Sequence, residues 1–403
     1  MRRFVQPAVF STVCIVLGLL VLHQYLYDPL RRFAKAKAAL QVGDLDRVAA
    51  EAKLLDRDPR FALHQSFLRG AALLREGKSQ KALGEFEKCH DHPDLEQETW
   101  VLTGQAFYQI GETGRAKLCW ERALVLDSDL LDAHRWLGVM YYDLGAMDNA
   151  LKHLQRVSDL DPKDPRPDRL MGLINKDYER THLAVTHYRE SLRRDPDQAD
   201  AEEIRLELAE AEIKQKEFAA ALATSKICTP SARQRVIQAE CYLNLGDHKS
   251  AQRLVTGVLS DSPDDFKALL LNGQILMESG EIDQAVASFR KSVDRNPSDY
   301  HARFQLVQSL RRTGQDEEAD RHEKVSDELR ETWSKFSDLH IDAIDQPTNA
   351  EVRCEIGALA EKLDRLDLAG TWYQAALAIN PNSARALAGL QAVAAKRSAD
   401  REK

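Results

Sequence analysis

Along most of the chain, apolar and small residues recur three and four positions apart, stop at a glycine or a polar turn, and resume. Trp100, Thr103, Gly104 and Phe107, followed by Ala116, Trp120 and Ala123, show the pattern. It predicts pairs of amphipathic helices, each with one buried stripe. Small residues set the phase. Gly70, Gly104, Gly138 and Gly172 are 34 apart, as are Gly77, Gly111 and Gly145, and Ala82, Ala116, Ala150 and Ala184. Four regular units follow over 63–198, as 63–96, 97–130, 131–164 and 165–198. Further units fill 199–333: a shortened one at 202–231, then 232–265, 266–299 and 300–333. Glycine permits the turn inside a unit, and Gly104 with Ala116 lets two helices approach while Trp100 and Trp120 fill the remaining volume. Pro162, Pro196, Pro263, Pro297 and Pro381 follow helix ends that they cannot continue. One such unit has too little core alone, so stability must come from stacking on its neighbours.

The ends are less regular. Residues 30–62 read as a degenerate first unit. The second helix of the 300–333 unit runs on through Trp333 without a proline stop, and a polar stretch containing Pro347 predicts an irregular joint at 334–349. A last unit at 350–383 precedes a capping helix and tail at 384–403. At the other end, a short tail, 1–7, leads into a stretch at 8–27 free of charged side chains and long enough to span a bilayer. It predicts a single transmembrane anchor helix. Its basic start, Arg2 and Arg3, also fits a cleaved signal peptide, but no small-residue pair is spaced for cleavage; a buried helix is the third alternative. Arg2 and Arg3 oppose Arg31, Arg32, Lys35 and Lys37 across the span, so orientation is weakly specified. The expectation is a single-pass membrane protein with its repeats on the exported, periplasmic side, the cytoplasmic side remaining open. The only Asn-x-Ser/Thr triplet, Asn296-Pro297-Ser298, is disqualified by its proline, in keeping with a bacterial protein.

Charge narrows the function. Fifty-six Lys and Arg against 64 Asp and Glu leave a net charge of −8, which encodes no general attraction to nucleic acid. The six cysteines form no C-x-x-C pair and read as packing residues. Cys89, His90, Asp91 and His92 could supply zinc ligands, but no second cluster completes the site, and a polar turn is the simpler reading. His182 and His187 are off the spacing of a helical metal pair. With no phosphate loop and no nucleophile elbow, the reading is of no catalytic or metal residue, no cofactor, no small-molecule substrate and no enzyme.

The spacings resemble the tetratricopeptide repeat family. Trp100, Gly104, Phe107, Tyr108, Gly111, Ala116, Trp120 and Ala123 occupy that family's signature positions; so do Leu137, Gly138, Tyr141, Gly145, Ala150 and Pro162, and Gly273, Gly280, Ala285, Phe289 and Pro297. Thr103, His134 and Glu179 depart from it. The resemblance implies an all-α solenoid, a right-handed superhelix of helix-turn-helix units, whose first helices line a concave groove. Carried onto this chain, the expected partner-binding residues are Phe67, Arg75, Gln105, Tyr108, Arg135, Tyr142, Arg166, Arg169 and Lys176. Arg135, Arg166, Arg169 and Lys176 would suit an acidic or C-terminal peptide. The plainer alternative is ordinary surface charge balanced by Asp132, Asp143 and Asp177. The Lys and Asn clamp of chaperone-tail binders is absent, its positions holding Phe67, Ala71, Leu102, Asp132 and Trp136. The reading is thus a non-enzymatic, membrane-anchored scaffold for protein or peptide partners; the alternative is a chaperone-like assembly or quality-control factor.

Overall fold

The period of 3.6 read from the sequence becomes helix throughout. The computed structural model describes residues 28–401 apart from 57, 145 and 347, and these form 21 α-helices, one short 3-10 turn and no strand. Helices α1 (Pro29–Val42) and α2 (Leu45–Leu55) make the first pair. The 3-10 turn Pro59–Phe61 leads to α3 (Ala62–Arg75), α4 (Ser79–Phe86), α5 (Glu96–Gln109), α6 (Thr113–Leu126), α7 (Leu131–Asp143) and α8 (Met147–Leu160). Then come α9 (Arg166–Asp177), α10 (Thr181–Arg194), α11 (Ala201–Lys214), the short α12 (Phe218–Lys226), α13 (Ala232–Asn244) and α14 (His248–Asp261). The chain continues with α15 (Phe266–Glu278), α16 (Ile282–Arg295), α17 (Tyr300–Arg312), α18 (Asp316–Asp345), α19 (Ala350–Lys362), α20 (Leu366–Ile379) and α21 (Ala384–Arg401).

One contact repeats inside the pairs. A glycine of the first helix faces an aromatic side chain 16 residues on, in the second. A Cβ at Gly70 would lie 2.6 Å from Phe86, at Gly104 2.4 Å from Trp120, at Gly172 2.5 Å from Tyr188 and at Gly273 2.4 Å from Phe289. The ring fills the space that the missing side chain vacates, and the two backbones close on it. Ala82, Ala116, Ala150, Ala184, Ala251, Ala285, Ala319 and Ala369 are all fully buried for the same reason. Between the helices the backbone turns left-handed, at φ 75° in Gly77 and 84° in Gly111. Glu179, the departure from glycine noted above, holds the same geometry at φ 55°, as do Lys216 and Asp364.

The repeats form two compact units, up to Leu137 and from Gly138 onward. In the first, Phe67, Leu68, Phe86 and Trp120 are buried. The second closes on itself. Met147, Leu154, Met171, Ile174 and Tyr178, from its beginning, share one core with Phe336, Cys354, Ile356, Trp372 and Tyr373, from its end. The rings of Tyr178 and Trp372 lie 4.9 Å apart, and His340 packs against both. Arg365 reaches Glu179 at 3.6 Å, and the Ser337 hydroxyl donates to Glu179 at 3.3 Å.

Two expectations are corrected. The irregular joint at 334–349 is mostly helix, because α18 runs unbroken to Asp345. Phe336, His340 and Ala343, spaced four and three apart, are buried, so the amphipathic period persists beneath a polar composition. The second correction concerns the membrane. The stretch 8–27, read as the anchor, lies outside the described residues, and no described helix is long and apolar enough to cross a bilayer. The 30-residue α18 has the length, but Asp, Glu, Lys and Arg recur along it. Single-pass localisation, with exported repeats, is therefore withdrawn.

Candidate functional site

The expected groove residues divide between the two units. In the first, Phe67 is 2% exposed and packs against Phe33 and Phe86, so it is core, not groove. Arg75 is exposed and Gln105 half-buried. Tyr108 joins an aromatic cluster with Trp120 and Trp136, whose own rings stack 5.9 Å apart. Arg135 pairs with Asp132 of its own helix at 3.2 Å.

In the second unit, Arg166 pairs with Asp164 at 2.8 Å, Arg169 with Asp200 at 2.5 Å, and Lys176 with Glu207. Each cation of the expected basic strip thus has a carboxylate on it, and the strip is charge-balanced. Tyr142 is half-buried, and burial, with the nearby Asp177 and Asp143, holds its hydroxyl proton on more tightly than usual.

The structure extends this strip across α11, α13 and α15. Glu203, Glu207, Glu210 and Lys214 are spaced four, three and four apart, which places them on one face of α11. Arg233 of α13 reaches Glu203 at 2.6 Å and Glu210 at 2.8 Å. Lys267 of α15 reaches the same Glu210 at 3.4 Å, over the intervening α13. Side chains two repeats apart can meet only if the first helices curve inward, so this is the concave face. Burial works to raise the Glu210 pKa, but Arg233 and Lys267 outweigh it and hold the carboxyl below its usual range.

Among the described residues, three charged side chains on this face lack a direct partner: Asp177, Lys214 and Glu240. Burial pushes both carboxyls up, toward their neutral forms, while Lys214 is exposed. Arg365, from the turn before α20, faces Asp177 and Lys214 from the closing end. The adjacent crevice, lined by Met147, Asp177, Tyr178, Leu368, Thr371, Trp372 and Ala375, has no room for a water molecule. The strip beyond residue 176 went unread, although the spacing of Glu203, Glu207, Glu210 and Lys214 carried its signal.

The Cys89 to His92 turn is put to other use. Burial raises the Cys89 thiol to about 11, and it donates to the Leu63 carbonyl. The His90 ring lies 3.9 Å from that of Trp100, while His92 packs on His64. Among the described residues no group of side chains is placed to hold a metal ion.

Paired helices, left-handed turns and a charged inner face define a helical-repeat solenoid. Models of the tetratricopeptide repeat match residues 101–165, 238–299, 270–319 and 350–383. The chain is 24% identical over 286 residues to superkiller complex protein 3 of Homo sapiens, and equally to that of Mus musculus, across 68% of this chain. It spans only 18% of the length of those relatives. Among solved structures, it is similar to pilF of Pseudomonas aeruginosa (18% identity, TM-score 0.40, 51% of this chain and 95% of that one). It is also similar to the APC/C hetero-tetramer Cut9-Hcn1 (13% identity, TM-score 0.35, 91% of this chain and 90% of that one).

Proposed function

We propose that the chain is a non-enzymatic scaffold that holds segments of protein partners against the concave face of its second unit. The observation that supports this most directly is the meeting of Lys267 and Glu210 over α13, which makes α9, α11, α13 and α15 present one continuous charged surface. Tetratricopeptide repeats and a surface of this kind suit protein segments, whose backbone amides and charged side chains pair with such groups. The expected residues Tyr142, Arg169 and Lys176 form its near edge. Arg75, Gln105, Tyr108, Arg135 and Arg166 are proposed as accessory contacts outside it, and Phe67 is core.

Site-specific photo-crosslinking tests the reading. A photoreactive residue replacing Glu207 on the concave face should capture a defined protein partner, whereas one replacing the exposed Lys291 of α16 should not. Equal labelling from both positions would sink the assignment.

A further inference from the structure

The concave face is mostly self-paired, and the exceptions fall into a pattern. Arg169, Lys176, Arg233 and Lys267 each lie on a carboxylate. Among the described residues, the side chains of Asp177, Lys214 and Glu240 have no hydrogen bond or ion pair, while the Glu240 main-chain carbonyl accepts from the Asn244 amide. Asp177 and Lys214 are the last residues of α9 and α11, and Glu240 lies one turn before the end of α13. Asp177 and Lys214 therefore sit at one edge of the face and Glu240 one turn further in, level with Glu210, on three successive first helices and in the order acid, base, acid.

The electrostatic setting of the two carboxylates is unfavourable in the free protein. A carboxylate at the C-terminal end of a helix meets the negative end of the helix dipole, where a cation is preferred. Asp177 and Glu240 are half-buried there, which removes part of their hydration. A partner that brought cations to these two sites would relieve both, and an anion on it would pair with the exposed Lys214 between them. First helices of neighbouring repeats pack about 10 Å apart, and an extended chain rises about 3.3 Å per residue, so matching charges on one strand fall about three residues apart.

We propose that this edge binds an extended protein segment with a basic, an acidic and a basic side chain at that spacing, seated on Asp177, Lys214 and Glu240. The pattern reads the same in both chain directions. This inference rests on the scaffold reading above and names the chemistry of its partner.

The test uses the full chain and short fluorescent peptides in a Gly and Ser background, carrying every permutation of charge at three positions, read by anisotropy. The basic-acidic-basic peptide should bind roughly ten-fold more tightly than its charge-inverted counterpart, as expected for charge-assisted bonds gained or lost. Asp177→Asn and Glu240→Gln should each erase most of that preference. Lys214→Glu should shift it to the all-basic peptide, a gain that misfolding cannot mimic. Equal affinity for all permutations, or a preference unmoved by these variants, would overturn the pattern while leaving the scaffold reading intact. So would the failure of every peptide alongside successful crosslinking from position 207. If crosslinking also fails, the scaffold reading falls with it.

Discussion

At the scale of single residues, the glycines separate into two kinds that a composition count merges. Gly104 is held against the Trp120 ring, so Gly104→Ala puts a methyl where 2.4 Å is available, and neither backbone nor ring can give cheaply. The expected cost is about 1–3 kcal/mol, read as a lower urea midpoint. Gly84, exposed in α4 with nothing within 4 Å of its missing Cβ, is the converse. Gly84→Ala should raise stability by about 0.5–1 kcal/mol, the difference in helix propensity. Asp177 supplies a third kind of position. Because burial raises its pKa, the folded state prefers it protonated, and its charge opposes folding at neutral pH. Asp177→Asn should therefore raise the thermal midpoint at pH 8 while weakening partner binding, the opposition expected of a residue kept for function.

At the scale of elements, the periodic part of the chain was legible because it is local. Gly70, Gly104 and Gly172 gave the register, and the turn at Glu179 survived the loss of its glycine because the helices on both sides fix the left-handed backbone between them. Helix α18 was misread beyond Trp333, since Ser337, Asp338 and Asp342 gave the segment a polar composition although Phe336, His340 and Ala343 kept the period. Phe67 was misassigned because a position that faces the groove in one repeat can face the degenerate first pair in another. His340 now ties α18 to both ends of the second unit. Its Nδ1 bonds the Phe336 carbonyl at 2.7 Å, while its Nε2 is buried without a partner. Tyr178, Phe336 and Trp372 surround the ring, and Glu179, Arg180 and Arg365 are the charges that face it. Burial holds its pKa below 6.5, against the pull of the Phe336 carbonyl and Glu179. The unfolded chain therefore takes up the proton first as pH falls through 6.5, so this contribution to stability is complete above that pH and is lost below it. The thermal midpoint should fall between pH 7.5 and 5.5, and His340→Phe should flatten that slope; an unchanged slope would remove His340 from the account.

At the scale of the second unit as a whole, the contact between its beginning and its end was not legible in the sequence. Repeat periodicity reports each unit's neighbours, and nothing in it links Tyr178 to Trp372. Trp372→Ala should cost about 3–5 kcal/mol, as emptied aromatic sites do, and should also enlarge the molecule in small-angle scattering. Phe289→Ala, at an equally buried site inside one repeat, should cost a similar amount without that expansion. An open array can gain or lose a repeat and merely become longer or shorter. A closed one cannot, because its circumference is set by the number of units that bring Tyr178 to Trp372. Between these two residues the copy number is frozen like the spokes of a wheel, and a duplication harmless in other solenoids would here leave two sticky ends exposed.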